Sequence, residues 1–370
     1  MTPCWLHWTT AFPHADDPQN GLFVAHGLEA VPGVDHRVLH IKADQMPGTA
    51  PLPVGPWKGV CINSPGGWRG LRWKAHSLHA VRFPVDAVLL HLPNPDAWPV
   101  WVWAKMRGLP VGIVEHRSAW LRDFPTKSSA YKWFLKALFN ASHGVAVPSE
   151  FLGDALRKAG VKTPITVLGN PLPAPNNEYP RTTSARGHRF GHLGDSVGAV
   201  KGQEFLLEAW SLHAATHPND TLQLLGNGPE RAQWEQRWGH LPGLTFGDGV
   251  PREDVERAFY GWDTLVVNSP VETFGLAAAE ALDRGCAVLS TQNGGVTSWG
   301  AHLPGIRFRT GAWNDVPDLV EALAFCAQQA PPSAQDRETC RTFFEPLRPK
   351  SWGADFKDWV RRLKPTPQPR

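Results

Sequence analysis

The sequence contains no run of about 18 apolar residues, the length a membrane-spanning helix requires. Its first residues, MTPCWLHWTTAFPHADD, lack a basic leader followed by an apolar stretch. The five cysteines (Cys4, Cys61, Cys286, Cys326 and Cys340) stand far apart and form no CxxC pair. Isolated thiols build neither a zinc site nor a disulfide framework, and a reducing cytoplasm is the expected setting. A formal net charge of +3 over 370 residues is too small to make nucleic acid a main partner. No GxGxxG follows an early strand with an acid about 20 residues on, which speaks against a nicotinamide dehydrogenase. Internal repeats and low-complexity tracts are absent as well. What remains has 42% hydrophobic and 19% charged residues, a globular composition too long for one ordinary core. Two domains follow from length.

Short apolar runs alternate with helical patterns, the signature of βα units and parallel sheets. The first half offers HRVLHI, DAVLLHL, LPVGIVEH, GVAVPS and ITVLGN as strands, and the second RFGHLG, LQLLGNG, LTFGDG, DTLVVNS and CAVLST. Between the halves, NPLPAPNNEYPRTTSARG (170–187) is rich in Pro, Asn, Ser and Thr and reads as a linker. The expected layout is an α/β chain of two Rossmann-like, doubly wound domains facing a central cleft. An N-terminal domain covers 1–172, a C-terminal domain 173–350, and a last helix 351–370 that could cross back to the first domain. In such sheets ligands lie beyond the carboxyl ends of the strands.

The segment SPVETFGLAAAEALDRGCAVLS (269–290) places Glu272 and Glu280 eight residues apart among small and apolar residues. Acids in apolar surroundings are paired or bind something. DTLVVNSP reads as a buried strand and GLAAAEALDRG as a helix closing at Gly285. Gly275 and Leu276 would then offer backbone N–H groups and the positive end of the helix dipole, an anion site. Carboxylates beside an anion site suit hydroxyl groups attached to that anion, and a nucleotide sugar supplies both diphosphate and hydroxyls. Equally, Glu280 could be a solvated helix residue and Glu272 a cap of the turn.

E-T-F-G-L-x-x-x-E-A-L-x-x-G-x-x-V-x-x-x-x-x-G-G resembles the E-x7-E signature of retaining, GT-B-fold glycosyltransferases of family 4. FGHLGDSVGAVKGQEFLLEAW resembles that family's phosphate-binding loop, with Lys201-Gly202 at its Lys-Gly position. LLGNGPE, which contains Asn227, resembles its G-x-G-P turn, and NGLFVAHGLEAV, VEHRS, AVPSEFLGDAL and VLGNPL occupy the usual places in the first half. The resemblance covers nearly the whole chain, firmly in the second half and loosely in the first.

The resemblance implies a catalytic set of His116, Lys201 and Glu272. It implies donor contacts from Gly21, His192, Lys201, Asn227, Glu272, Phe274, Gly275, Leu276 and Glu280, with no metal ligand. Glu272 would meet sugar hydroxyls and Glu280 the ribose. Phe274, Gly275 and Leu276 would present amides to sugar and diphosphate, and Lys201 would neutralise the diphosphate as it leaves. The donor would be a UDP- or GDP-linked sugar, with no further cofactor, and the acceptor a glycan, a lipid or a small molecule. Many relatives carry Gly-Arg-Leu where this chain has Gly191-His192-Leu193, and an Arg fork grips phosphate as His cannot. His192 could act as imidazolium, another basic residue could cover the diphosphate, donor binding could be weaker, or His192 could be a buried neutral ring. No residue stands out as a covalent nucleophile, and no Asp-x-Asp lies near the motifs, in keeping with a metal-independent reaction in which Lys201 and a helix dipole replace the cation. A nucleotide-sugar epimerase and a non-catalytic nucleotide-sugar-binding protein are the alternatives on this fold.

From 46 to 85 there is no Asp or Glu, while Lys58, Arg69, Arg72, Lys74 and Arg82 accumulate among Trp57, Trp68 and Trp73. Further on, TKSSAYKWFLKALFN sets Lys127, Lys132 and Lys136 near Trp133, Phe134 and Phe139. Such a surface could make peripheral contact with the inner face of a membrane or grip an acidic glycan, or the aromatics could be core and the bases a solvated rim.

Overall fold

A computed structural model of the chain describes residues 2–13, 20–43, 48–51, 58–64, 78, 81–176, 179–181, 187–195, 200–249 and 252–363. It divides into two compact units, Met1–Pro171 with Leu347–Arg370, and Leu172–Pro346.

In unit 1 the described residues form an eight-stranded sheet. Its strands are β1 (Cys4–Thr9), β2 (Asp35–Ala43), β3 (Gly48–Pro51), β4 (Lys58–Ser64), β5 (Ala87–His91), β6 (Val111–Val114), β7 (Gly144–Val147) and β8 (Ile165–Val167). The order is β3-β4-β2-β1-β5-β6-β7-β8, parallel except for β3 against β4. The helices are α1 (Leu22–Glu29), α2 (Trp98–Met106), α3 (Ala119–Arg122), α4 (Ser129–Ala141) and α5 (Glu150–Lys158). The chain leaves β1 toward β2 on one side and returns to β5 on the other, so the topological switch point lies between β1 and β5.

Unit 2 holds a six-stranded parallel sheet of β9 (Arg189–Leu193), β10 (Thr221–Leu225), β11 (Leu244–Gly247), β12 (Thr264–Val267), β13 (Ala287–Ser290) and β14 (Ile306–Phe308). Its order is β11-β10-β9-β12-β13-β14, with the switch point between β9 and β12. Its helices are α6 (Gln203–Thr216), α7 (Arg231–Trp238), α8 (Arg252–Gly261), α9 (Leu276–Asp283), α10 (Gly295–Gly300), α11 (Val316–Ala327) and α12 (Ala334–Phe344). The helix α13 (Pro349–Arg362) belongs to unit 1.

All ten strand candidates from the sequence form, and β1, β3, β4 and β14 add to them. Burial on both faces explains the near-continuous apolar runs. In β1, Leu6 and Trp8 enter one core with Val88, Leu90 and Ile113. Trp5 faces the other way, into a second core with Leu89, Val114 and Ala146. That second core is closed by Trp352, Phe356, Trp359, Val360 and Leu363 of the C-terminal segment. Two strand glycines make the docking possible. A Cβ on Gly112 would lie 2.7 Å from Leu363 Cδ1 and 2.8 Å from Trp359 Cη2, and one on Gly144 2.7 Å from Leu363 Cδ2. Side chains of this size stabilise by about 1.5–3 kcal/mol each when fully buried. A valine at position 144 would therefore unseat much of α13.

Candidate functional site

At the unit 2 switch point β12 ends at Val267 and the chain runs through Asn268, Ser269 and Glu272 into α9. The stretch is stitched to the loop after β13: Glu272 N donates to Asn293 O at 3.0 Å, and Gly295 N donates to Glu272 O at 2.9 Å. These bonds fix the backbone from which the carboxylate projects. Glu272 Oε1 accepts from Lys201 Nζ and from Ser269 Oγ, each at 2.7 Å. The other oxygen, Oε2, has no hydrogen bond among the described residues. One carboxylate thus anchors a cation and keeps a face for a ligand hydroxyl.

Lys201 is positioned from behind. Gly202, at φ 64, caps α6, and a Cβ there would lie 2.2 Å from Asn268 O. Asn268 Nδ2 donates to Gly202 O and to Trp313 O, both at 2.9 Å. Asn268 Oδ1 accepts from Arg309 Nη1, and Arg309 Nε donates to Asp318 Oδ2 at 2.7 Å. Burial by itself would raise the Asp318 carboxyl, but the Arg309 guanidinium and further donors from Thr310 and Gly311 hold it below the usual range. A buried, ionised network therefore fixes the loop that carries Lys201.

His192 ends up as a buried neutral ring. Burial pushes its pKa down to about 4. Its Nδ1 donates to Val266 O at 2.9 Å, so Nε2 is a bare acceptor, buried and without a partner. Burial disfavours the imidazolium alternative, and a neutral ring lacks the charge with which an Arg grips phosphate. Gly194 leaves room beside it, since a Cβ there would sit 3.1 Å from Lys201 Cγ and 3.6 Å from His192 Nε2.

Phe274 is buried, with its carbonyl accepting from Trp299 Nε1 at 2.7 Å. Gly275 takes φ 82 as the cap of α9, and a Cβ there would meet Val296 Cγ2 at 2.3 Å. Only glycine fits, and the amides of the following turn start without intrahelical partners. Leu276 opens the helix, and Glu280 is buried within it, not a solvated helix residue. Asn227 is exposed, and its Oδ1 accepts from Gly249 N at 2.9 Å, bracing the loops that follow β10 and β11.

Gly21 and His116 belong to unit 1. Gly21 caps α1 at φ 65, where a Cβ would lie 2.3 Å from Ala11 O. His116 follows β6, its ring against Phe23 with centroids 4.8 Å apart, and burial lowers its pKa to about 4. Glu115 holds its backbone: Oε1 accepts from the amides of His116 (3.0 Å) and Arg117 (2.9 Å). Oε2 accepts from Arg117 Nη2 and Trp120 Nε1, both at 2.9 Å. Burial would raise the Glu115 carboxyl, yet the Arg117 charge and these donors keep it below its ordinary value.

A family profile described as Glycosyltransferase Family 4 matches residues 24–174, and one described as Glycosyl transferases group 1 matches 187–328. The chain belongs to the family 4, group 1 glycosyltransferases. An uncharacterized glycosyltransferase of Bacillus subtilis (strain 168), YqgM, is 24% identical over 221 residues, 58% of this chain and 61% of that protein. The chain thus spans about three fifths of the curated relative it matches. Sucrose-phosphate synthase from Thermosynechococcus elongatus superposes with a TM-score of 0.75 at 16% identity, over 98% of this chain and 99% of the other. HepE from Anabaena, solved with UDP and glucose, gives 0.71 at 16%, over 97% and 100%. The UDP-forming trehalose-phosphate synthase from Burkholderia xenovorans, solved with glucose-6-phosphate, gives 0.73 at 10%, over 96% and 99%. These likenesses establish the GT-B fold.

Within this glycosyltransferase the structure brings Lys201, Glu272 and His192 together, with Phe274 to Leu276 adjoining. Sequence reasoning missed Ser269, Asn268, Arg309 and Asp318, which hold that group in place, and Glu115, which holds His116. The signal for Glu115 was available, because an acid closing the apolar run LPVGIVE needs partners.

Proposed function

We propose that this glycosyltransferase moves a sugar from a nucleotide-sugar donor, UDP- or GDP-linked, to a hydroxyl-bearing acceptor. We further propose retention of anomeric configuration without a metal ion. The observation that carries the reading is the Lys201–Glu272 pair at 2.7 Å beside the glycine-capped start of α9. A diphosphate laid on the amides after Gly275 would draw the ammonium to itself, leaving the Glu272 carboxylate to accept from sugar hydroxyls. Lys201 then meets the growing charge on the departing diphosphate, and its contribution increases toward the transition state. Neutral His192 offers Nε2 as a further hydroxyl acceptor. UDP in the HepE structure supports a uridine donor.

Calorimetric titration with UDP, GDP and ADP, followed by donor hydrolysis and transfer assays, tests the reading. Binding of none of them would overturn it. Free epimerised sugar would point to the epimerase, and binding without turnover to a non-catalytic protein. Proton NMR of the first-formed product reports the anomeric configuration, and full activity after chelation is expected.

A glycolipid acceptor, with peripheral membrane contact, is favoured by one observation. Trp133 and Phe134 on α4 are 62% and 46% exposed while Leu135, Leu138 and Phe139 of the same helix are buried. Exposed aromatics with Lys127 and Lys132 close in sequence suit an anionic lipid surface. Lys58 is instead engaged with Asp35 at 3.7 Å, and Trp57, Arg69, Arg72, Lys74, Trp68 and Trp73 lie outside the described residues. Sedimentation with anionic vesicles, lost on Trp133→Ser and in high salt, is the expected result. Among the described residues no helix is long and apolar enough to cross a membrane.

A further inference from the structure

Three histidines of unit 1, His7 and His91 buried and His36 partly so, form a continuous chain that the reading above does not use. His36 Nε2 lies 3.0 Å from Val31 O. His36 Nδ1 lies 2.9 Å from His7 Nε2, and His7 Nδ1 lies 3.0 Å from His91 Nε2. His91 Nδ1 is buried and has no partner among the described residues. Burial lowers the pKa of all three rings, so each is neutral at pH 7 with one N–H and one lone pair.

The carbonyl of Val31 can only accept, and that single fact orients the whole chain. His36 must carry its hydrogen on Nε2, which leaves Nδ1 to accept from His7 Nε2–H. His7 Nδ1 must then accept from His91 Nε2–H. The open end, His91 Nδ1, is therefore a lone pair, and reversing it would set lone pair against lone pair along the chain. A free imidazole can offer either character, whereas this one is locked as an acceptor.

The location gives the lock a use. His91 is the last residue of β5 and pairs in register with Thr9, the last of β1, so it stands at the carboxyl side of the unit 1 switch point. Leu92, directly after it, has φ 50, and it is the one non-glycine residue with positive φ among the described residues. Backbone strain of this kind persists where the surroundings impose it and gathers at ligand sites. The nearest titratable neighbour beyond the chain is His116, also neutral.

We propose that His91 Nδ1 is a hydroxyl-recognition position at the unit 1 switch point, held in acceptor form by the His7–His36–Val31 relay. Its ligand class is a neutral polyol, the hydroxyls of the acceptor sugar or headgroup. A carboxylate or a phosphodiester, which presents only lone pairs, is excluded. The proposal rests on the glycosyl-transfer reading for the name of that ligand, not for the tautomer chain.

The test is long-range 1H–15N correlation on 15N-histidine-labelled full-length protein at neutral pH, with His91→Gln to assign the signal. All three rings should be Nε2–H tautomers. D-glucose, mannose and myo-inositol in turn should shift the bare His91 Nδ1 resonance, and acetate should not. A protonated Nδ1, or no response to any of the polyols, overturns the proposal. His36→Phe removes the anchor while leaving His91 in place. With folding verified by its melting curve, it should give mixed tautomers at His91 and weaken the polyol response about 3- to 10-fold, the worth of one hydrogen bond. An unchanged His91 tautomer in that variant also overturns it. Nucleotide binding with a silent His91 would sink this proposal alone, while a responsive His91 without nucleotide binding would sink the transferase reading.

Discussion

Each unit places a buried neutral imidazole beside its switch point, and the two surroundings differ in their electrostatics. In unit 2, His192 at the end of β9 sits against a compact set of ions, Lys201 with Glu272 and, behind them, Arg309 with Asp318. In unit 1, His91 at the end of β5 continues into two further neutral rings, with the charged Glu115–Arg117 pair kept aside as a clamp on the backbone of His116. Ions at a strand end suit a ligand whose charge changes during reaction. Neutral acceptors suit one recognised by its hydroxyls. On the proposed reading, the ions beside one switch point serve a diphosphate and the neutral rings beside the other serve a sugar or headgroup.

The sharpest way to break the contrast is to remove the unit 2 ions. Lys201→Ala and Glu272→Ala should each lower kcat on the order of 10²–10³-fold, the range seen when one transition-state-stabilising group is lost. Because each leaves the other charge behind, the double variant should cost less than the sum of the singles. A loss below about threefold in either variant would remove the pair from the chemistry.

Next in size is the unit 1 clamp. Glu115→Ala strands Arg117 and leaves two backbone amides and the Trp120 indole without an acceptor. Breaking a buried pair by removing one partner costs about 3–5 kcal/mol, with the lower end expected because Arg117 retains some solvent contact. Urea denaturation measures it, and a cost under about 1 kcal/mol would show that the clamp is ornamental.

Acid should expose the neutral character of unit 1. His91 and His116 are held at about 3 and about 4, whereas an unfolded histidine titrates near 6.5. Between those values the unfolded chain binds protons that the folded chain refuses. Stability is thus complete above about pH 6.5 and falls as pH drops toward 4, by at most about 1.4 kcal/mol per pH unit for each ring. Glu115, held low, adds its own loss only below about pH 4.3. A urea midpoint that stays flat from pH 7.5 to 5 would contradict this picture, and His116→Asn should make the decline shallower.

How much of this was legible beforehand depended on the kind of signal. Aliphatic runs announced ten strands, but β1, CWLHWT, escaped because tryptophan and histidine replace the usual valine and isoleucine. The loop-helix unit around Glu272 was readable because its chemistry is local in sequence. The relay was not, since His7, His36 and His91 come together only once β2, β1 and β5 are ordered in the sheet. Arg309 and Asp318 were hidden for the same reason. The departure at His192 was visible, but its neutrality comes from burial and its tautomer from Val266 O, a carbonyl on the neighbouring strand.

The smallest expected effect separates the two acids of the E-x7-E segment. Glu272 is tied to Lys201, which in the proposed reaction faces the developing charge, so its loss is expected to act on kcat. Glu280 is 5% exposed, one helix interior away from the glycine cap, with its own carbonyl accepting from Arg284 Nη1. A carboxylate that meets only a ribose hydroxyl interacts equally with ground and transition states. Its removal should therefore raise KM and leave kcat nearly unchanged. Glu280→Gln preserves shape and an acceptor oxygen, so the KM for the donor should rise only about 3- to 10-fold, near 1 kcal/mol for a charge-assisted bond made neutral. A 2′-deoxy nucleotide donor should cost the parent enzyme more than it costs the variant, because the parent loses a charge-assisted bond and the variant only a neutral one. If the two penalties add instead, Glu280 does not touch the ribose, and the division of labour between the two acids fails.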